Sequence, residues 1–249
     1  MKKIAALAVL VALPAAAGLV GAAEDEAIEI LKKSDEFHYG YGDSHLTLHS
    51  LLKDKDGATS EIKYEMWEKG EKRLLVFQEP PDLTGTAVLV KDPDTIYVYE
   101  PEFNKVRRIA AHAKKQTMFG MDYSMDESAL RFLHKQYDPK IESEDEDTAV
   151  LILEQKPGLD KAWPKLRVTV DKKNHWIASK IEYLDAKGKK HKTEVRKGVK
   201  TIGGRLVTSI MIMTDHQKKH STSIVIDKAE YDLGLPEEMF TKRYLVREE

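Results

Sequence analysis

Beyond Pro139 the chain is cut into short pieces by turn chemistry. The clusters DKKN, DAKG, IGG and DHQKK recur at roughly 10–12 residues, the spacing of an antiparallel meander. Between them, side chains alternate. Leu166, Val168 and Val170 fall on one face of an extended segment, and Arg167, Thr169 and Asp171 fall on the other. A period of two is the signature of a strand, not of a helix. TAVLILEQ precedes this region, and HSTSIVIDKAEYDL closes it. The N-terminal half follows the same rule. HLTLHSLLKDKDGATSEIKYEMWEKGEKRLLVFQ is three runs divided by DKDG and EKGE, both hairpin-type turns. Ile62, Tyr64 and Met66 share one face there; Glu61, Lys63, Glu65 and Trp67 share the other. EPPDLTG interrupts the pattern because Pro80 and Pro81 cannot donate to a ladder. TAVLV, TIYVYE and KVRRIA then follow, separated by DPD and PEFN. The reading is one curved antiparallel sheet of about ten or eleven strands.

Helical periodicity is confined to two places. EDEAIEILKKSDEF puts acidic residues first and Lys32-Lys33 near its end, matching the helix dipole, with an apolar stripe of Ala27, Ile28 and Leu31. SMDESALRFLHKQYD opens with Ser124 as N-cap and Glu127 three residues on, a capping box. Leu130, Leu133 and Tyr137 then recur at helical spacing, which predicts a single helix. AHAKKQTMFGMDY between them is irregular, and LPEEMF reads as a single helical turn. No linker divides the chain, so residues 24–249 form one domain of α+β class.

Met1-Lys2-Lys3, an apolar run from Ile4 interrupted at Pro14, and the ending GLVGAAEDE make residues 1–23 a signal peptide. Gly21 and Ala23 meet the small-residue requirement, placing cleavage before Glu24; cleavage before Ala23 and retention as an anchor are the alternatives. The chain has no cysteine, which excludes disulfides, thiolate chemistry and a lipid-modified N-terminal Cys. An exported protein of this kind is held together by its core alone. Without Lys2 and Lys3 the formal charge moves from −2 to about −4. A mildly acidic surface of mixed charge gives no case for nucleic acid. The expected location is the periplasm, in soluble and monomeric form.

The motifs of chemistry are missing. His45 and His49, four apart on a strand, would sit about 13 Å from each other, too far for one metal. His216 and His220 bracket a lysine-rich turn, and all nine histidines read as surface residues. The carboxylates of ESEDED read as a solvated loop. No G-x-S-x-G, P-loop or HExxH occurs, and Gly40 and Gly42 lack the strand-to-helix context of a dinucleotide fingerprint. The reading is neither an enzyme nor a cofactor or metal binder.

Apolar residues without a wet counterpart carry more information. In TIYVYE, Tyr97 and Tyr99 oppose Ile96 and Val98; in GRLVTSIMIMTD, Ile210 and Ile212 oppose Met211 and Met213. Two or three helices are too few to cover so large a sheet. A part-filled cavity between sheet and helices resolves the mismatch, and methionine suits such a surface because it adapts to varied shapes.

FQEPPDLTGTAVLV, IYVYEPEFNKVRRI, MFGMDYSMDESALRFL and the closing LPEEMFTKRYL, in that order, resemble the outer-membrane lipoprotein-sorting protein family, relatives of the LolA and LolB carriers. The likeness covers nearly the whole chain after the leader, with one departure: Met121 stands where a small residue, usually serine, is expected. The resemblance implies a half-open antiparallel β-barrel with the helices as a lid over an apolar cavity. It also implies a carrier of lipoprotein acyl chains or other hydrophobic cargo, serving an outer-membrane acceptor or an inner-membrane transporter of the resistance–nodulation–division type. On this reading Met66, Leu89, Tyr97, Tyr99, Met118, Phe119, Tyr123, Met211 and Met213 line the cavity. Whichever of Arg107 and Arg108 shares the Tyr97/Tyr99 side bonds the lid or a ligand headgroup. The alternative is a periplasmic sensor or adaptor that binds a membrane protein, with a dry, packed core.

Overall fold

The computed structural model describes residues 16–246, so most of the leader lies outside the described residues. Helix α1 runs over Ala16–Tyr39 and is continuous through Glu24. It buries Ala27, Ile30 and Leu31, with Ser34 and Asp35 on the same stripe; Ile28, expected on that stripe, is only half-buried.

Six strands follow: β1 (Asp43–Lys53), β2 (Thr59–Lys69), β3 (Lys72–Glu79), β4 (Ala87–Asp92), β5 (Thr95–Glu100) and β6 (Lys105–Arg108). After the 3-10 turn Ala111–Ala113 and two short α-helical turns come β7 (Tyr137–Glu144), β8 (Thr148–Gln155), β9 (Lys165–Asp171), β10 (Ile177–Leu184), β11 (Lys190–Ile202), β12 (Arg205–Asp215) and β13 (His220–Tyr231). The count is 13 strands, above the expected ten or eleven, in the single order β6-β5-β4-β3-β2-β1-β13-β12-β11-β10-β9-β8-β7. Two antiparallel meanders are thus joined where β1 pairs with β13. The outer strands β6 and β7 do not meet, and the curved sheet is a half-open barrel.

The strand that the pattern conceals is β7. Helical spacing predicts one helix through Tyr137; the structure has α2 (Met125–Ser128) and α3 (Leu133–Gln136), with the backbone leaving helical geometry at Phe132 (φ 2°, ψ 75°). Tyr137 is fully buried and its hydroxyl donates to the Trp163 carbonyl at 3.0 Å, so the chain must turn extended there. Pro139 sits within β7, which is tolerated because β7 is an edge strand. The capping box is present: Glu127 N donates to Ser124 Oγ at 3.1 Å, and Ser124 N donates to Glu127 Oε2 at 2.6 Å. Asp35 of α1 accepts from His134 N at 2.9 Å and pairs with its Nδ1 at 2.7 Å, which fixes α3 to α1.

Register decides which residues face inward. Leu46 opposes Met66, Met66 opposes Leu75, Leu75 opposes Val88, and Val88 opposes Val98. Paired residues share a face, so this row lies on the concave side, where Ile96 and Val98 belong to one buried cluster with Met118, Met121 and Met125. A second concave cluster fills the other half: Leu151, Leu153, Leu166, Val168 and Ile181 pack against Ala27, Ile30 and Leu31 of α1. The convex side has a small core of its own. Trp67 opposes Leu74, Leu74 opposes Leu89, and Leu89 opposes Tyr97. Leu235 and the C-terminal 3-10 turns Glu237–Phe240 and Tyr244–Val246, which bring Phe240 and Leu245, pack over that row.

Candidate functional site

The concave face changes character at β11. This strand sends Lys192, Glu194 and Arg196 inward, opposite Asp215, Met213 and Met211 of β12, and turns Val195 and Val199 outward into solvent. Between this strip and the N-terminal half of the sheet is a cavity of about 150 Å³. Its floor is apolar: Leu46, Tyr64, Met66, Leu75, Met211, Ile224 and Ile226. Its cover is the last turn of α1 (Phe37, His38, Tyr39), Tyr41, and Met118, Met121, Tyr123, Ser128 and Leu130 from the segment ahead of and around α2.

Charged groups are set into this wall, and most of them are saturated. Glu68 accepts from Tyr41 Oη at 2.5 Å, from Arg73 Nε at 2.6 Å and from Ser44 Oγ at 3.3 Å. Arg73 also donates to the Ser128 carbonyl, and Arg131 donates to the Gly70 carbonyl at 2.5 Å and to Tyr41 Oη at 3.3 Å. Burial alone would push the Glu68 carboxyl up, but the nearby Arg131 and Arg73 charges and these hydrogen bonds hold it at about 2. The Tyr41 hydroxyl is pushed well up, by burial first and by the Glu68 charge second. Arg73 and Arg131 thereby tie the C-terminal end of α2 and the residues after it to the β2–β3 hairpin.

A second buried pair ties the same region to β11. Lys192 Nζ donates to Glu127 Oε1 at 2.8 Å, to Oε2 at 3.0 Å and to the Asp122 carbonyl at 2.6 Å. Trp163 Nε1 adds a bond to Glu127 Oε1 at 2.6 Å. The Asp122 carboxylate accepts from Thr222 Oγ1 at 2.8 Å and pairs with His220 Nδ1 at 2.6 Å. The cover is therefore pinned by buried polar groups at both sides of the cavity, not by apolar packing alone.

Of the residues expected to line a cavity, Met66, Met118, Tyr123 and Met211 do so. Phe119 lies beside it, edge-on to Phe77 at 4.7 Å, and Met213 is fully buried in the second core. Leu89, Tyr97 and Tyr99 face the other way and pack in the convex core under the C-terminal turns. Alternation separates the two faces of β5 but does not say which is concave; the pairing of Val98 with Val88 does. Arg108 shares the Tyr97 side and borders a shallow surface hollow with Asp94 and Lys114, while Arg107 is exposed and bonded to Glu100. Neither arginine reaches the cover. The histidines are not uniformly superficial: His38 lines the cavity with Nε2 buried and unpartnered. Burial first, then the Arg196 charge, hold its imidazole well below the usual range.

The sequence reading overlooks the buried ions Glu68, Arg73, Arg131, Glu127, Lys192, Glu194 and Arg196. One signal was available. In KHKTEVRKGV, lysine, glutamate and arginine alternate with Thr193 and Val195, so one face of that strand must be wholly charged, and a barrel strand has no second wet face to offer. Among the described residues no cluster of three or more His, Asp or Glu could hold a metal ion.

A family model described as "Uncharacterized protein" matches residues 69–247, well over half of the chain. A domain assigned to outer membrane lipoprotein sorting from Vibrio parahaemolyticus superposes with a TM-score of 0.80 at 25% identity, covering 90% of this chain and 100% of that one. The chain belongs to the family that this model describes, and it is similar in fold to the lipoprotein-sorting domain. Two further solved structures share the fold. A DUF1329 family protein from Desulfovibrio piger gives a TM-score of 0.81 at 20% identity, covering 90% of this chain and 99% of that one. A LolA superfamily protein from Nitrosomonas europaea gives 0.74 at 21% identity, covering 88% and 98%. No curated protein matches the sequence. Against this LolA-like frame, Met121 occupies the position where serine was expected, and its buried side chain takes up space in the cavity wall.

Proposed function

We propose that this LolA-like protein is a periplasmic carrier that binds acyl chains or other hydrophobic cargo non-covalently for transfer between membranes. The observation that carries the reading is the apolar cavity beneath the α2 cover, floored by Met66, Met211, Ile224 and Ile226 and roofed by Met118 and Met121. Methionines on both floor and roof suit cargo of variable shape. A sensor or adaptor with a dry, packed core would not need this hollow. Among the described residues no helix is long and apolar enough to cross a membrane, which fits a shuttle that meets membranes at their surfaces. Each buried methylene contributes roughly 0.8 kcal/mol, so even partial burial of a long chain gives useful affinity. A transporter of the resistance–nodulation–division type is the membrane partner to test first.

Two measurements test this. Mass spectrometry of lipids extracted from gently purified protein is expected to find co-purified amphiphile, and an environment-sensitive fluorescent fatty acid is expected to brighten on binding. A lipid-free preparation that also leaves the probe dark would overturn the proposal.

A further inference from the structure

Among the ions that line the cavity, Arg196 has the most hydrogen-bonding capacity to spare. Arg73 gives Nε to Glu68 and a terminal nitrogen to the Ser128 carbonyl, and Lys192 spends its own on Glu127 and Asp122. Arg131, which bonds the Gly70 carbonyl and Tyr41 Oη and keeps an unbonded Nε, does not line the cavity. Arg196 makes a single hydrogen bond, Nε to Glu194 Oε1 at 2.5 Å. Its guanidinium presents five N–H groups in a planar fork, so both terminal nitrogens remain available, and the residue lines the cavity.

Two further polar atoms in the same cavity have no protein partner. Tyr123 is 7% exposed, and its Oη is buried with no partner in hydrogen-bonding geometry; burial first, and then the charge of Glu194, push the phenol up. His38 Nε2 is likewise buried and unbonded. An unmade hydrogen bond at a buried site is costly, and such groups call for an occupant. The carboxylates that would repel an anion are engaged: Glu68 by Arg73 and Tyr41, Glu127 by Lys192 and Trp163, and Glu194 by Arg196 and by Tyr183 Oη at 3.2 Å. Arg196 opposes Met211, which opposes Ile224, so the apolar floor starts directly beside the guanidinium.

We propose that the cavity takes a single-tailed anionic amphiphile, its carboxylate or phosphate headgroup bound by the free edge of Arg196 with Tyr123 and His38, and its tail on Met211, Ile224 and Met66. This names the cargo class for the carrier site proposed above and rests on that reading. A guanidinium fork pairs with two oxygens of either headgroup at once, which selects against an uncharged head on the same tail.

Binding is measured by displacement of a fluorescent fatty acid, using a long-chain fatty acid, the lysophosphatidate of the same chain and the matching fatty alcohol. At least one anionic lipid is expected to bind tenfold or more tightly than the alcohol; which one does so separates a carboxylate from a phosphate source. In the charge-neutral double variant Glu194→Gln/Arg196→Met, whose fold is checked by circular dichroism, that ratio is expected to fall close to one. Should acid, lysophosphatidate and alcohol bind equally to the unaltered protein, the headgroup inference is wrong while the carrier reading stands. If none of the three binds, the carrier reading itself fails. An anion preference that survives intact in the double variant would also overturn the assignment to Arg196.

Discussion

Replacing Glu68 by glutamine removes one negative charge from the cavity wall and leaves the shape and an acceptor for Tyr41 in place. Glu68 is 2% exposed and faces Arg73 and Arg131. Its carboxyl is held at about 2 against an ordinary 4.5, a difference that corresponds to about 3 kcal/mol. The folded state binds this proton more weakly than the unfolded chain does. The contribution is therefore fully present above the unfolded value and is lost as the pH falls through the folded one. Glutamine mimics the protonated acid. The stability gap between the natural protein and Glu68→Gln is then about 3 kcal/mol at pH 7 and shrinks to roughly 1.4 kcal/mol at pH 3. Urea titrations followed by tryptophan fluorescence at several pH values give both curves, and carboxylates elsewhere titrate in both proteins and cancel in the difference. A gap that stays constant from neutral to acid pH would refute the reasoning. So would a variant within about 1 kcal/mol of the natural protein at pH 7, because removing one partner of a buried pair is expected to cost several times that.

Met121→Ser restores the residue expected at that position and enlarges the cavity. It is expected to cost about 2–4 kcal/mol in chemical denaturation and to raise the affinity for a bulkier fluorescent lipid in the same displacement assay. Phe240→Ala empties the convex core instead: a loss of about 3–5 kcal/mol is expected, with lipid affinity per folded molecule unchanged, because Phe240 packs on Leu74 and Leu89 on the side away from the cavity.

Strand positions were legible because turn clusters and period-two patterns are local. The runs from His45 to Gln78 and from Lys165 to Asp171 fall where the sequence places them. β7 was not, because Leu130, Leu133 and Tyr137 satisfy a helical period that tertiary packing overrides: Tyr137 is needed, extended, beneath Trp163. Met66, Met118, Tyr123 and Met211 could be picked from their apolar context, whereas Leu89, Tyr97 and Tyr99 could not be told from cavity residues. Both faces of β4 and β5 are covered, one by the α2 region and the other by the C-terminal turns, and a doubly buried strand reads alike on each side. The buried ions escaped because Arg131 is remote in sequence from the hairpin that carries Glu68 and Arg73, and only the fold shows that the three converge.

The sheet ends at β6 and β7 without joining them. A sealed cylinder has its girth fixed by strand number and stagger; a seam that is never laced has no such limit. Widening this sheet would break no ladder hydrogen bond, since the two margins share none. One fold could thus admit cargo of different thickness by splaying at the seam, with the ties from Lys192 and Arg73 setting how far the cover follows.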